Sequence, residues 1–591
     1  MGTKIVETGV GMLDWCCDQG RMFAILVFLA RFDQVQLRVQ ETEAQAASER
    51  AAGGPPGRLF GGRSTKPDTG RGYAGYESFF DNPTQFLDEI HMYGSKSVRA
   101  IDFSCADRKT DGIHGQLVTF IFNMLPSASW KGGSLFDQSP PSTLTAALKL
   151  SLLMDKLGDL MRNDSLSDIT KRCDVYYPLL DFVMTLGSHP AMAELLIQER
   201  YYKKASVGLH AICKSPGGKD LKGKGCSLES LLVLADPAEG NAPALITRLE
   251  NLAKQSDIML GLGAGAKARQ ELRSSTDQIT MELCGRIKKV YSRVGSAITT
   301  NDRNKGLAKP PVGAERWTLY HKANCLELTE EVMNRHHYIQ HVRGMSASPK
   351  GRVPYLMKDT ASMGTSLPQG IFVKASSDTP GVMKCLVIGP EDTPYENGLF
   401  EFDVLAGVDY PVMPPNVHFT GTDGGYADMN PNLHRDGKVC LSLLGTFYGP
   451  PESKWQAGKS TILSVLVSIQ GMILVNEPWR NEPGNGSDTR PSALEYCRKY
   501  TIERMALTVR YALIPWLANR TLREGIWKDV IHMHFKCNGE RILKTIRGWA
   551  KTSPGIQHFR EPKGPLEPVR THARFGGDNL LAKFEKLLQC L

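Results

Sequence analysis

The spacing of apolar residues divides the chain into a helical half and a half that combines strands with helices. Between residues 77 and 300 leucines recur at helical spacing, first at Leu144 and Leu148, as expected for one buried helix face. Helices are predicted over 165–187, from 190 onward, over 244–260 and over 268–294. Ser165 is predicted to cap the first of these helices, because a serine side chain can accept a bond from an exposed helix amide. The pattern predicts a mostly α-helical region.

From residue 371 the apolar spacing changes to two. Strands are predicted over 371–375, 383–388, 399–405 and 417–420, with turn-forming residues between them. In the third strand Phe400 and Phe402 alternate with Glu401 and Asp403, which predicts one face in the core and one face toward solvent. Helical spacing returns after the strands. The predicted fold class is therefore α+β, a four-stranded antiparallel meander with flanking helices.

The chain is too long for one hydrophobic core, and changes in composition indicate where its regions begin and end. The predicted regions are 1–40, a short ordered segment; 41–76, a flexible linker rich in Gly, Pro and Ala; 77–300, the helical domain; 301–344, a connector with a helix; 345–500, the α+β domain; and 501–591, a helical extension. An amphipathic stripe over 580–588 is predicted to dock on the α+β domain.

Charge and cysteine content exclude several classes of protein. The net charge of +9 over 591 residues is mild and lacks the clustered basic stripe of a nucleic-acid binder. The 13 cysteines include no C-x-x-C pair, which favours a reducing compartment, the cytoplasm or nucleus, over a disulfide scaffold. The apolar run over 22–30 is too short to cross a membrane. No metal, cofactor, nucleic-acid or membrane partner is expected.

Two groups of histidines resemble metal ligands and are better explained otherwise. His336, His337 and His341 are predicted on the polar face of a helix, because a zinc site would need further ligands. His532 and His534 point to different sides of a helix, since each residue turns it by about 100°. A structural function is predicted for both groups.

Cys440 is the candidate for chemistry. It follows the turn sequence Asp436-Gly437 and a loop that contains Asn430 and Asn432. Such a loop on a rigid scaffold is a frequent place for catalytic groups. A thiol there could act as a nucleophile, and the Asn432 amide could donate to a developing oxyanion. On these residues alone, a buried structural cysteine is the more common alternative.

The order of motifs over residues 351–482 resembles the ubiquitin-conjugating enzyme family. The motifs are Thr393-Pro394-Tyr395, Tyr410-Pro411-Val412-Met413-Pro414-Pro415, Asn430-Pro431-Asn432 eight residues before Cys440, Trp455, and the helix that begins near Ile462. Within the family, Cys440-Leu441-Ser442-Leu443-Leu444 and the run over 475–484 most resemble the large hybrid enzymes that combine conjugating and ligase activity.

The resemblance implies that an activating enzyme passes ubiquitin to Cys440 as a thioester, which a lysine of a protein substrate then attacks. It implies that Asn432 stabilises the loop and the oxyanion, with Asn430, Pro431, Ser442 and Trp455 in support.

Three residues depart from the family pattern. Asn430 stands where most members have His, and Ser442 stands where many have an Asp that orients the lysine. Val412 stands where an exposed Phe often contacts RING-type ligases. These departures favour transfer without a separate ligase and leave a RING partner uncertain. Two alternatives stay open: conjugation of a ubiquitin-like modifier, and a catalytically silent scaffold that binds ubiquitin.

Overall fold

The computed structural model describes residues 5–8, 11–14, 17–52, 105–127, 134–162, 165–201, 208–209, 241–272, 274–302, 312–345, 349–421, 427–486, 488–560 and 577–590. The chain divides into two compact units. Unit 1 consists of Met1–Lys66, Val98–Asp257 and Ser274–Ala308, and unit 2 of Pro67–Ser97, Ile258–Arg273 and Lys309–Leu591.

Unit 1 is built mainly from helices. Its strands are β1 (Ile5–Thr8), β2 (Gly11–Asp14), β3 (Arg200–Tyr201) and β4 (Asn241–Ala242). Its helices are α1 (Asp18–Ala52), α2 (Cys105–Met124), α3 (Leu135–Gln138), α4 (Ser142–Leu150), α5 (Leu153–Met161), α6 (Leu166–Lys171), α7 (Cys173–Ser188), α8 (Pro190–Ile197), the first part of α9 (Leu245–Gly263), and α11 (Ser275–Asp302). The strands form two antiparallel pairs, β1 with β2 and β3 with β4.

The leucine stripe that begins at Leu144 forms two helices instead of one. The break lies at Ser151, whose hydroxyl donates to Asp33 Oδ1 over 2.7 Å, and the backbone N–H of Leu152 donates to the same oxygen over 2.8 Å. Asp33 is fully buried on α1. Because its carboxylate satisfies an amide at the start of α5, the second helix can begin inside the core.

The described residues test two helix boundaries of unit 1. Ser165 caps α6 as predicted, since its hydroxyl accepts a bond from Asp168 N over 3.3 Å. The single helix expected over 165–187 is wrong, because α6 ends at Lys171 and α7 begins at Cys173. Arg172, between them, pairs with Asp111 of α2 at 2.6 Å.

Helix α1 also corrects the prediction of a flexible linker that begins at residue 41. The helix continues to Ala52, and its last turns are rich in alanine and glutamate, which are strong helix formers. The low apolar content of this stretch did not reveal the helix, because an exposed helix does not need apolar residues. Residues 53–76 of the predicted linker lie outside the described residues.

Unit 2 combines a sheet with helices before and after it. Its strands are β5 (Leu326–Leu328), β6 (Ile371–Ala375), β7 (Val382–Ile388), β8 (Leu399–Leu405) and β9 (Asn416–Phe419). Its helices are the end of α9, α10 (Ala266–Glu271), α12 (Gly313–Asn324), α13 (Ile339–Gly344), α14 (Arg352–Ser366), α15 (Ile462–Ser468), α16 (Pro491–Leu507), α17 (Ile514–Ala518), α18 (Arg520–Arg523), α19 (Lys528–Trp549), α20 (Pro554–Gln557) and α21 (Leu580–Gln589). None of the helices in the described part of the chain is long and apolar enough to cross a membrane.

The sheet has five strands in the order β5-β6-β7-β8-β9. Strands β6 to β9 form the predicted antiparallel meander, in which Phe402 lies opposite Cys385. Strand β5 was not predicted, and it pairs in parallel with β6, with Leu326 opposite Val373. The α+β class is confirmed, with one more strand than the sequence indicated.

The second face of β8 is buried, contrary to the prediction. Lys384 Nζ lies 2.6 Å from Asp403 Oδ1, and both side chains are almost inaccessible to solvent. Asp403 Oδ2 accepts a bond from His337 N over 2.6 Å, and Glu401 accepts one from Trp527 Nε1 over 2.9 Å. A segment between β5 and β6 and a segment after β9 therefore cover the face that was predicted to contact solvent.

Histidines take part in this covering layer. His336 is buried and its Nε2 donates to Met383 O over 3.1 Å. Because α13 begins only at Ile339, the predicted position of His336 and His337 on a polar helix face is wrong. His534 has the predicted structural function, since it is buried and bonded to Asn397 O over 3.1 Å.

The C-terminal extension packs within unit 2. Leu580 and Phe584 of α21 are fully buried, and the Phe584 ring lies 6.1 Å from that of Phe535. Helix α21 contacts α17, α19 and α20, and Trp516 Nε1 of α17 donates to Leu399 O of β8 over 3.0 Å. The terminal stripe thus docks on neighbouring helices of the extension, which in turn bond to the sheet.

A buried carboxyl group, Asp359 of α14, gives a prediction on pH and stability. Its Oδ2 accepts bonds from the Tyr410 hydroxyl over 2.5 Å and from Ile462 N over 3.4 Å, and burial raises its pKa from 3.8 to about 6. Because the folded-state pKa is raised, the stability that the neutral acid contributes is lost as pH rises from about 4 to 6. Asp359→Asn should therefore stabilise the fold above pH 6, by on the order of 2–3 kcal/mol, and not near pH 4.

Urea unfolding of wild type and Asp359→Asn at pH 4.5 and pH 7.5 checks this expectation. Asp409→Asn, which changes an exposed carboxylate in the loop between β8 and β9, is the control and should show no such dependence on pH. An equal difference between Asp359→Asn and wild type at both pH values would contradict the prediction.

Candidate active site

A tight reversal precedes Cys440. His434 N donates to Lys438 O over 2.9 Å, Gly437 N donates to His434 O over 2.9 Å, and Asp436 Oδ1 accepts a bond from Lys438 N over 3.0 Å. Gly437 has φ +86°, and a Cβ there would lie 2.0 Å from the ring of His418. Only glycine fits this position without a shift of the neighbouring backbone or ring. The reversal therefore holds its two arms in a fixed register.

Asn430 fastens the start of the loop to the core. Its Nδ2 donates to the Tyr395 hydroxyl over 2.8 Å and to Ile473 O over 2.7 Å, and its Oδ1 accepts a bond from Asn432 N over 2.8 Å. The side chain is almost fully buried. Asn430 is thus a structural anchor, and Pro431 lies between it and Asn432.

Asn432 and Cys440 are locked side by side. Asn432 Nδ2 donates to Cys440 O over 3.0 Å, and Cys440 N donates to Asn432 O over 2.8 Å. Both residues are buried. Because a side-chain amide carries two N–H groups, one remains available for a second acceptor. The arrangement uses the side-chain amide of Asn432 and the backbone of residue 440, so it fixes the position of the cysteine.

The thiol of Cys440 lies in a mixed electrostatic environment. Burial is the main cause that raises its pKa, and Glu482 and Asp436 raise it further, while Lys438 lowers it. The Sγ atom lies 3.2 Å from His434 Nε2. The thiol is therefore protonated at neutral pH unless a base takes its proton, and an imidazole is within reach.

Ser442 is held in a loop on the other side of Cys440. Its hydroxyl donates to Tyr448 O over 2.5 Å, and a Cβ on Gly449 would lie 2.5 Å from Ser442 Oγ. Tyr448 itself is highly exposed. Ser442 therefore organises the loop and does not present a free hydroxyl.

Trp455 supports the Tyr410-Pro411 element. Its Nε1 donates to Pro411 O over 2.8 Å, and its ring centroid lies 5.7 Å from that of Tyr410. The Tyr410–Pro411 peptide bond is cis. Val412 and Met413, next in sequence, are 69% and 57% exposed, so the loop carries an apolar surface despite the absence of phenylalanine.

His434 was not among the residues predicted for the site. The turn at Asp436-Gly437 pairs His434 with Lys438, which leaves His434 and Cys440 as diagonal neighbours, within reach of a long side chain. Within the described residues, no group of three or more His, Cys, Asp or Glu side chains could hold a metal ion.

Known proteins resemble this chain both in the α+β region and beyond it. The sequence profile of the family "Ubiquitin-conjugating enzyme" matches residues 355–500. The human "Dual E2 ubiquitin-conjugating enzyme/E3 ubiquitin-protein ligase BIRC6" is 27% identical over 593 residues, 96% of this chain and 12% of that protein. The "Putative ubiquitin-conjugating enzyme E2 39" of Arabidopsis thaliana is 37% identical over 257 residues, 40% of this chain and 76% of that protein.

Two further matches concern a worm protein and a solved human structure. The "Probable ubiquitin-conjugating enzyme protein 17" of Caenorhabditis elegans is 28% identical over 417 residues, 66% of this chain and 52% of that protein. The solved structure of human ubiquitin-conjugating enzyme E2 G1 is 27% identical and covers 22% of this chain and 97% of that chain, with a TM-score of 0.19. This chain spans about one eighth of the length of its human relative.

A four-stranded meander followed by a cysteine-bearing loop and a helix defines a ubiquitin-conjugating fold in unit 2. The profile match and the 37% identity to the Arabidopsis protein show that the family is the same. The chain belongs to the ubiquitin-conjugating enzyme family and is related to BIRC6.

Proposed function

We propose that this chain accepts ubiquitin as a thioester on Cys440 and transfers it to a lysine of a protein substrate. The observation that carries the proposal is the pairing of Cys440 with Asn432 through two hydrogen bonds. These bonds hold the backbone of Cys440 beside the Asn432 amide, which keeps the thiol and the amide next to each other. The partners of the proposed reaction are an activating enzyme, ubiquitin and the substrate.

In the charging step the Cys440 thiolate attacks the thioester carbonyl of ubiquitin held on the activating enzyme. A new C–S bond forms at Cys440, the C–S bond to the activating enzyme breaks, and its thiolate leaves. In the transfer step a neutral lysine amine attacks the Cys440 thioester. The C–N bond forms, the Cys440 thiolate leaves, and the lysine nitrogen loses a proton.

Direct transfer without a separate ligase is the second part of the proposal. It is supported by the engagement of Ser442 with Tyr448, because the residue at this position is not available to orient the lysine. The exposed Tyr448 and the loop around Gly449, which contact Ser442, offer a surface for substrate contact. Conjugation of a ubiquitin-like modifier is the alternative with the same chemistry.

A charging assay on the full chain tests the proposal. The chain is incubated with activating enzyme, ATP and ubiquitin, and the products are separated with and without reducing agent. We expect an adduct of one ubiquitin that the reducing agent removes. If an adduct forms only with a ubiquitin-like modifier, that modifier is the one that Cys440 accepts. If no adduct forms with ubiquitin or with a ubiquitin-like modifier, the scaffold alternative is favoured.

Replacement of Asn432 should slow the transfer step more than the charging step. Asn432→Ala removes the amide that holds Cys440 and could donate to the oxyanion, and loss of one such donor costs about 10²–10³ in rate. The measurement is the discharge of preformed adduct to free lysine. Asn485→Ala, which removes an amide bonded to Trp479 O, is the control. Discharge of Asn432→Ala at the wild-type rate would show that the amide is only structural.

A further inference from the structure

His434 is the one titratable side chain that the described residues place in hydrogen-bonding distance of the Cys440 sulfur. Its Nε2 lies 3.2 Å from Sγ, although the imidazole itself is exposed to solvent. A base in such a place contacts the reacting sulfur on one side and can be reached by an incoming amine on the other.

The backbone fixes this contact. The amide and carbonyl of His434 are both bonded across the reversal, to Lys438 O and Gly437 N at 2.9 Å each. This register places Lys438 opposite His434 and Cys440 two residues further along the second arm, and the imidazole reaches the Cys440 sulfur across that diagonal. The position depends on the turn and not on packing of the ring.

The other polar groups around the thiol are poorer candidates for a base, because they are hydrogen-bonded elsewhere, carry a positive charge or make no hydrogen bond to the sulfur. The Asp436 carboxylate accepts a bond from Lys438 N in the turn, and Lys438 carries a positive charge. Glu482, from the segment after the sheet, acts on the thiol only through its charge. Ser442 donates to Tyr448.

We propose that His434 is the general base of both half-reactions, a refinement that rests on the proposed function of Cys440. During charging, Nε2 takes the proton of the Cys440 thiol as the new C–S bond forms. The proton then passes to the departing thiolate of the activating enzyme or to water.

During transfer, neutral Nε2 takes a proton from the attacking amine nitrogen as the C–N bond forms. The C–S bond to Cys440 breaks, and the imidazolium returns the proton to the Cys440 sulfur. No oxidant, metal or further reactant is needed, and His434 ends each cycle neutral.

The pH dependence of transfer tests this function. A general base works only in its unprotonated form, so the wild-type rate should rise with pH and show an inflection. His434→Gln keeps polarity but cannot accept a proton, and general base catalysis contributes about 10²–10⁴ in rate. We expect charging and discharge of this variant to be about 10²-fold slower at pH 7, with a smaller difference at pH 9 and without the wild-type inflection.

Two further variants separate proton transfer from positioning. His434→Ala should regain part of its rate when free imidazole is added, relative to wild type under the same conditions. His532→Gln, which changes an exposed histidine of α19, should match wild type throughout. Matching thermal unfolding of the variants would exclude loss of the fold.

The outcomes distinguish this inference from the proposed function. If wild type forms no reducible adduct at Cys440, the proposed function itself fails. If wild type charges but His434→Gln keeps the wild-type rate and inflection, only the function of His434 is overturned. A loss that is equal at every pH and is not restored by imidazole would also overturn it, since that result fits a structural contact.

Discussion

Cys440→Ala is expected to abolish the reducible ubiquitin adduct completely. The alanine side chain fits the space but has no nucleophile, and no loop residue can replace the sulfur beside His434 and Asn432. Cys440→Ser should instead trap ubiquitin as an oxygen ester, because a serine hydroxyl is a weaker nucleophile and a poorer leaving group. The charging assay, resolved with reducing agent and separately with mild alkali, distinguishes the two variants.

Cys497 supplies a matched control for this experiment. It is as inaccessible as Cys440, and burial raises its thiol pKa too, but its sulfur lies 3.7 Å from Glu477 Oε1 and not beside an imidazole. Cys497→Ser should charge like wild type. An adduct that persists in Cys440→Ala, or that disappears in Cys497→Ser, would place the thioester elsewhere.

Part of the candidate site around Cys440 could be predicted from the sequence. The spacing of Asn432 and Cys440, and the turn at Gly437, are local features that the residue order displays. The contact between Cys440 and His434 is local as well, and it could have been found by pairing the arms of the turn. The bond from Ser442 to Tyr448 could not, because the path of an irregular loop is set by packing that no short-range pattern encodes.

The same distinction between local and long-range interactions decides which strands could be predicted. Strands β6 to β9 were predictable because each alternates apolar residues and ends at a turn. Strand β5 is only three residues long, and it pairs in parallel with a strand more than forty residues further along the chain. A short strand of this kind is defined by its partner and hardly at all by its own sequence.

For the outer face of β8, the predicted alternation of residues is correct, but the predicted exposure to solvent is wrong. Glu401 and Asp403 do alternate with the core phenylalanines, as the sequence indicated. Trp527 and His337, which arrive from far apart in the chain, cover them. The pattern shows which residues share a face, but it cannot show whether another segment covers that face.

Removal of Asp403 should destabilise unit 2 strongly. Asp403→Ala leaves the buried Lys384 ammonium without its partner and the His337 N–H without an acceptor. Breaking one side of a buried ion pair typically costs about 3–5 kcal/mol. The lower end, about 3 kcal/mol, is expected here, because Glu401 Oε1 remains 3.9 Å from Lys384 Nζ. Denaturant unfolding followed by tryptophan fluorescence measures the effect, since six of the eight tryptophans lie beyond residue 309.

A double variant separates the pair from its environment. Lys384→Met with Asp403→Leu removes both charges together, and replacement of a buried ion pair by apolar residues is often neutral or stabilising. The double variant should therefore unfold at a higher denaturant concentration than Asp403→Ala. Glu495→Ala, which breaks an exposed pair with Arg498, is the control and should leave the midpoint unchanged. A midpoint for Asp403→Ala equal to that of the control would mean that solvent reaches Lys384, and the outer face of β8 would then be open as its charge pattern first indicated.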